Sequence, residues 1–307
     1  MPANICVIGS SNVDFTVKSE LLPGKGETVS GGVFQHAYGG KGANQAVAAS
    51  RAGGRVSFVA CLGKDEFTGG LLKAFKKDRI DTKFVFSDPG AATGVALIMV
   101  DRTGDNYIAV ASGANHRLLP RHVDLAHKAV KDAAYVILQM EIPAETNSRV
   151  IDLCSELDVK VIVNCAPFRP LAKDQLSRID ILIVNEHEAA GLTGIKVEGE
   201  KSAVKAAEAL SALGVKNAII TLGANGSIVY GSRKAIPVPA FKIRALDATA
   251  AGDTFCGALA VRLTEGASLA EASRFASAAA ALACTRLGAQ SSIPIRKEID
   301  RFLAEHP

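Results

Sequence analysis

No segment of this 307-residue chain approaches the ~18 uninterrupted apolar residues that a helix needs to cross a bilayer, which argues against a membrane span. The start, Met1-Pro2-Ala3-Asn4, lacks the basic stretch and apolar run of a secretory leader, so a cytoplasmic protein is expected. The six cysteines (Cys6, Cys61, Cys154, Cys165, Cys256, Cys284) come no closer than about eleven residues, and none has the short spacing of a zinc or dithiol centre. Reduced, mostly buried thiols are expected instead, because free cysteine behaves as a small hydrophobe. Charge of one sign never accumulates: 35 Lys and Arg stand against 31 Asp and Glu, a net +4 with no block of like charges. That distribution lacks the clustered footprint of a nucleic-acid binder. The sequon Asn225-Gly226-Ser227 is read as a turn, since a chain without a secretory signal does not meet the glycosylation machinery. Two phosphate motifs are missing as well. No GxGxxG follows the first apolar run, and Lys41 is followed by Gly42 rather than the Ser or Thr of a P-loop.

What is present is a chain 48% hydrophobic, too apolar for disorder and long enough to bury a sizeable core. Apolar, β-branched runs recur at 5–8, 56–60, 135–138, 159–163, 181–184 and 218–221. Between them lie helical patterns, with Phe67, Leu71 and Phe75 four apart and Ala203, Ala207 and Leu210 on one stripe. Strands apolar on both faces and alternating with helices predict an α/β fold, a doubly wound and mostly parallel sheet covered on each side. Residues 15–38, with Phe15-Thr16-Val17 and Glu27 to Phe34 as strands, and 93–111 break the rhythm as β-formers around Gly-rich turns. They predict two hairpins able to pair as a small antiparallel β-lid. One domain over 1–307 is expected, with a dimer formed through the lid.

Ligands of open α/β sheets bind outside the carboxyl ends of the strands, so the loops after the apolar runs are the places to search. The strongest is Asp247-Ala248-Thr249-Ala250-Ala251-Gly252-Asp253-Thr254-Phe255, followed by helical periodicity. Small residues there let a ligand approach the backbone, and the amides of 250–253 would open a helix whose positive end favours an anion. Gly39-Gly40-Lys41-Gly42-Ala43-Asn44-Gln45-Ala46 is a second glycine loop leading into a helix. Asn12 and Asp14 follow the first run, and Glu141 follows the run at 135–138. Each polar residue alone reads as solvated; together they would ring one crevice.

These residues resemble the ribokinase-like (phosphofructokinase B) carbohydrate kinases along almost the whole chain. The Gly39–Ala46 and Asp247–Phe255 segments are similar to the two family motifs. Gly113-Ala114-Asn115, Gln139-Met140-Glu141, Asn185-Glu186-His187-Glu188-Ala189 and Thr221-Leu222-Gly223 follow in the family's order. The resemblance implies a Rossmann-like domain with a β-lid, ATP-dependent phosphorylation of ribose at O5, Mg²⁺ and a potassium-type monovalent activator. It implies Asp253 as catalytic base, with the amides of Ala250, Ala251 and Gly252 as anion hole. Asn12, Asp14, Gly40, Lys41, Asn44, Glu141 and Asp253 match sugar positions. Asn185, Thr221, Gly223, Gly226, Ala251 and Gly252 match nucleotide positions, with Ser277 where some relatives place a histidine near the adenine. Glu188 would organise Mg²⁺ through water. Asp247, Thr249, Gly288 and Ser292, with carbonyls near Ala283 and Arg286, match the monovalent-cation loop. Cys256 departs from the small polar residue common in relatives. A 2-deoxyribose or other sugar kinase is the alternative, and a non-catalytic sugar or nucleotide sensor the reading from another class.

Overall fold

A computed structural model describes residues 4–307. In chain order its strands are β1 (Asn4–Ile8), β2 (Asn12–Lys18), β3 (Val33–Gly39), β4 (Arg55–Gly63), β5 (Asp81–Asp88), β6 (Gly94–Val100) and β7 (Asn106–Ala111). They continue as β8 (Tyr135–Leu138), β9 (Lys160–Asn164), β10 (Ile181–Asn185), β11 (Asn217–Thr221), β12 (Ser227–Gly231) and β13 (Lys234–Val238). Nine of them form one sheet in the order β13-β12-β11-β10-β9-β8-β1-β4-β5. All its pairings from β11 to β5 are parallel; only β12 and β13 add an antiparallel edge.

Successive side chains of a strand point to opposite faces, and both faces here are apolar. Cys6 and Ile8 face a core closed by helices Ala144–Glu156 and Glu200–Ala212. Ile5 and Val7 face the other core, closed by helices Lys41–Arg51, Glu66–Lys77, Ala251–Thr264 and Leu269–Cys284. The expected doubly wound sheet is therefore present, including every apolar run singled out above. Five of the six thiols are buried, none is paired, and the sixth, Cys284, is partly buried. No helix among the described residues is long and apolar enough to cross a membrane.

The second sheet has four strands in the order β3-β2-β6-β7. Its two halves are the expected antiparallel hairpins, β2 with β3 and β6 with β7, but the strands that join them, β2 and β6, run parallel. The second strand starts later than expected. Residues 27–32, read as extended from Glu27, lie outside β3, and pairing begins at Val33.

Strand order reverses at β1: the chain steps outward to β4 and β5, then returns to β8 and proceeds to β11. Such a switch point opens a crevice at the carboxyl ends of the two central strands. Residues 9–14 after β1 and 139–141 after β8 lie there. Across it, helix Lys41–Arg51 packs on helix Ala251–Thr264 with backbone-to-backbone closeness. A Cβ on Gly257 would stand 2.6 Å from the Ala49 nitrogen, the Gln45 carbonyl oxygen and the Ala48 Cβ. We expect Gly257→Ala to cost about 1–3 kcal/mol in urea unfolding, the range for overpacking a tight interior. Gly69→Ala, on an exposed helical position with nothing within 4 Å of the added carbon, should instead stabilise by about 0.5–1 kcal/mol. Equal effects of the two substitutions would contradict the close packing.

Candidate active site

Helix Ala251–Thr264 begins at the crevice with Ala250 in the left-handed region, φ 60°. That turn spends the Ala251 amide on the Ala248 carbonyl at 3.1 Å, and the Thr254 amide donates to Ala250 at 2.8 Å. The amides of Ala250, Gly252 and Asp253 make no hydrogen bond among the described residues. Of the three amides expected to meet an anion, those of Ala250 and Gly252 are thus free, while that of Ala251 closes the turn that sets up the helix.

The other glycine loop behaves differently. Gly40, at φ 87°, turns the chain into helix Lys41–Arg51, and its missing side chain lets it pass within 2.8 Å, measured from an added Cβ, of the Asn12 nitrogen. The first amides of this helix are all engaged. Lys41 donates to Glu141 Oε2 at 2.9 Å, Gly42 to Ser10 Oγ at 3.2 Å and Ala43 to the Ser10 carbonyl at 2.8 Å. Ser10 Oγ itself donates to Glu141 Oε2 at 2.5 Å. Glu141 therefore occupies this helix N-terminus as a built-in anion.

Asp253 lies in the first turn of its helix, 6% exposed. Its Oδ2 accepts from Asn44 Nδ2 and its Oδ1 from Gln45 Nε2, both at 2.9 Å. Burial pushes the Asp253 carboxyl above the usual carboxylate range, opposed by the Lys41 ammonium and the two amides. Lys41 in turn is raised above the ordinary lysine range, chiefly by Asp253 and further by Glu141 and Glu188. Asp14, from β2, is pushed up to about 6 by burial and by the charges of Glu141 and Asp253. Four acids, Asp14, Glu141, Glu188 and Asp253, and one ammonium thus share one electrostatic neighbourhood. Beside Asp14, Asn12 is buried and accepts from Asn115 Nδ2 at 2.7 Å.

A cleft of about 210 Å³ opens from Asp253 and Lys41 along the free helix end at 250–252 to Asn185, Glu188 and Thr221 at the tips of β10 and β11. Asn185 and Glu188 cap the helix Glu186–Thr193 reciprocally, side chain to amide, at 2.8 Å each way. Burial raises the Glu188 carboxyl, and the Asn185 amide and Lys41 oppose that. Gly223, Gly226 and Ser277 are not in the lining: the glycines form the turn into β12, and Ser277 sits partly exposed on helix Leu269–Cys284. A larger hollow, about 640 Å³, lies at the amino ends of the strands around Gly54, Val56 and Asp81, away from every predicted site residue.

Next to the free helix end, Asp247 ties two loops together. Its Oδ1 accepts from the Thr249 amide at 2.9 Å and its Oδ2 from the Gly288 amide at 2.8 Å. Ser292 is fully buried, and the Arg286 guanidinium turns away to Glu298 at 2.6 Å. Among the described residues no cluster of three or more His, Cys, Asp or Glu side chains could hold a metal ion.

Residue types alone did not single out Ser10, Asn164 or the roles of Gln45 and Gln139. Ser10 and Asn164 sit at the carboxyl ends of β1 and β9, a signal available once those runs are read as parallel strands. Gln139, directly after β8, carries the same signal, whereas Gln45 lies inside a helix, where residue type gives no sign of its partners.

A free helix N-terminus that carries a buried, ionisable carboxylate, with an ammonium lining the same cleft, suits transfer of an anionic group to a hydroxyl. The comparisons agree. The chain matches the family model described as pfkB family carbohydrate kinase over residues 2–296. It is 41% identical over 306 residues to a ribokinase of Haemophilus influenzae, covering 100% of both chains. It is 32% identical to a deoxyribokinase of Salmonella typhi, covering 98% of this chain and 99% of that one. A solved structure of Arabidopsis thaliana ribokinase complexed with ribose and ATP superposes with a TM-score of 0.92 at 35% identity, covering 98% of each chain. Fold and sequence converge, and the chain belongs to the pfkB family of carbohydrate kinases.

Proposed function

We propose that this kinase is a ribokinase, phosphorylating D-ribose at O5 with ATP to give ribose 5-phosphate and ADP. One observation carries the reading: Asp253, held by Asn44 and Gln45, lines the same cleft as Gly252 and Ala250, whose amides are unpaired. In that arrangement Asp253 accepts the O5 proton as the new O5–P bond forms and the bond from the γ-phosphorus to the ADP oxygen breaks. A loose transition state needs positioning and charge neutralisation more than a strong base. The free amides and Lys41 supply that neutralisation without reorganising. Asn12, Asp14, Gly40, Lys41, Asn44 and Glu141 bind the sugar, and Asn185, Thr221, Gly223 and Gly226 the nucleotide, with Ser277 beside its base.

Mg²⁺ fits Glu188 through water, since one of its oxygens already accepts the Asn185 amide and its donors are hard oxygens. It would neutralise phosphate charge. The loop set fits a potassium ion equally well: Asp247, Thr249, Gly288 and Ser292 with the Ala283 and Arg286 carbonyls are oxygen donors throughout, apart from Gly288, whose amide locks Asp247 in place. We read residues 1–307 as one cytoplasmic domain whose segments 15–38 and 93–111 form a lid over the sugar. The lid also forms the dimer contact. Val33, Phe34, Leu97, Tyr107, Ile108 and Val110 of the small sheet are each more than half exposed, and exposed sheets of this kind pair.

Asp253→Asn keeps shape but cannot take a proton, and kcat should fall by about 10²–10⁴ while calorimetry still detects ribose and ATP. Retained turnover would remove the base. Asp14 accepts from a sugar hydroxyl more strongly as a carboxylate than as a neutral acid, and burial with the charges of Glu141 and Asp253 pushes its carboxyl up to about 6. Ribose affinity should therefore be constant above pH 7, weaken as pH falls through about 6, and lose that limb in Asp14→Asn. Losing the 2-hydroxyl leaves a polar group unpaired at roughly 1–3 kcal/mol, so kcat/KM for 2-deoxyribose should be about ten- to a hundredfold lower. A better rate with 2-deoxyribose would move the chain to the alternative sugar. Potassium should raise activity over sodium, and equal rates in potassium, sodium and cation-free buffer would count against the loop site. Light scattering should return twice 31.9 kDa; a monomer mass at micromolar concentration would remove the lid contact.

A further inference from the structure

Behind Asp253 the Gln45 amide that holds it is itself part of a buried chain of amides. Gln45 is fully buried in helix Lys41–Arg51. Its Nε2 donates to Asp253 Oδ1 at 2.9 Å and to Asn164 Oδ1 at 3.1 Å. Its Oε1 accepts from Gln139 Nε2 at 2.7 Å. The direction of donation is set at both ends. A carboxylate can only accept, and Asn164 spends its own Nδ2 on the Ile183 carbonyl at 3.4 Å. Gln139 is also fully buried, and its Oε1 has no partner among the described residues. Room for it exists because residue 9 is glycine: a Cβ there would stand 1.9 Å from Gln139 Oε1. An unpaired buried carbonyl is costly, so the fold accepts a penalty to keep this amide pointing its donor at Gln45.

We propose that Gln45 and Gln139 are positioning residues for Asp253: the donor chain from Gln139 through Gln45 fixes the carboxylate's rotation and favours its ionised form. The proposal rests on Asp253 being the base. With Oδ1 held by Gln45 and Oδ2 by Asn44, only the remaining lone pairs are open to the sugar hydroxyl. The charges around it come from several elements. Lys41, at the start of Gln45's own helix, favours the ionised carboxylate; Asp14 from β2 and Glu141 after β8 disfavour it. Glu188, across the cleft, acts on Lys41. Cys256, one turn along Asp253's helix, is held neutral by burial. Removing the Gln45 donor leaves burial less opposed, which raises the pH at which Asp253 becomes ionised.

The test is the pH profile of kcat for Gln45→Met, Gln45→Glu and Gln139→Met, with Asp253→Asn alongside. Gln45→Met should lower kcat about tenfold at pH 6 and less than about threefold at pH 9, an acid limb moved upward rather than a uniform loss. Gln45→Glu, which turns the donor into a second acid, should move the limb further. Gln139→Met should move it less, and should add nothing in a Gln45→Met background, because its effect passes through Gln45. KM for ATP should stay within about twofold throughout. Should Gln45→Met fail to fold, the profiles of Gln45→Glu and Gln139→Met decide the matter. A pH-independent loss, or an unmoved limb in variants that fold while Asp253→Asn is inactive, overturns the positioning role alone. An active Asp253→Asn overturns the base and the positioning role together.

Discussion

The close approach of helix Lys41–Arg51 to helix Ala251–Thr264 is the constraint on which the site depends. Asn44 and Gln45 have short side chains, yet they reach a carboxylate about two hundred residues further along the chain at 2.9 Å. They do so because Gly257 places backbone against backbone and alanines fill the rest of the contact. A larger residue there would part the helices, and hydrogen bonds weaken steeply once their geometry is lost. Packing in this protein therefore reaches into the site: the interface that closes one core also holds the Asp253 carboxylate.

The two helix N-termini at the crevice divide the labour. One is saturated by the chain itself, with Glu141 on the Lys41 amide and Ser10 on the next two. The other keeps the amides of Gly252 and Asp253 free at the mouth of the cleft. One positive end is thus open to the cleft, while the saturated end holds the backbone of Lys41, whose ammonium balances Asp253. Burial raises Asp14 and Asp253 together, and the charge of Glu141 adds to it.

Much of this was legible in residue order. Central strands buried on both faces read as continuous apolar runs, and each appears where expected. Strands β5, β12 and β13 were not anticipated: the two edge strands have a half-exposed pattern, as in Asp81–Asp88, or a proline, Pro237, that hides the period, and the buried β12 is only five residues long, with Gly226 before it and Gly231 at its end. The glycine loops marked the site because close backbone approach demands small residues locally. The engagement of the Ala251 amide was hidden in a left-handed Ala250 that residue type disfavours. The glutamine chain was hidden for another reason: Gln45, Gln139 and Asn164 come from three separate elements and meet only in the folded crevice.

The account's central claim is that Asp253 and the free amides above it act on the primary hydroxyl of a pentose. Phosphorus NMR of the product formed from ribose and ATP tests it directly. The account predicts a single sugar phosphate, coupled to the two protons on C5, appearing in step with ADP. A phosphate on the anomeric oxygen, or inorganic phosphate released with no sugar ester, would contradict it.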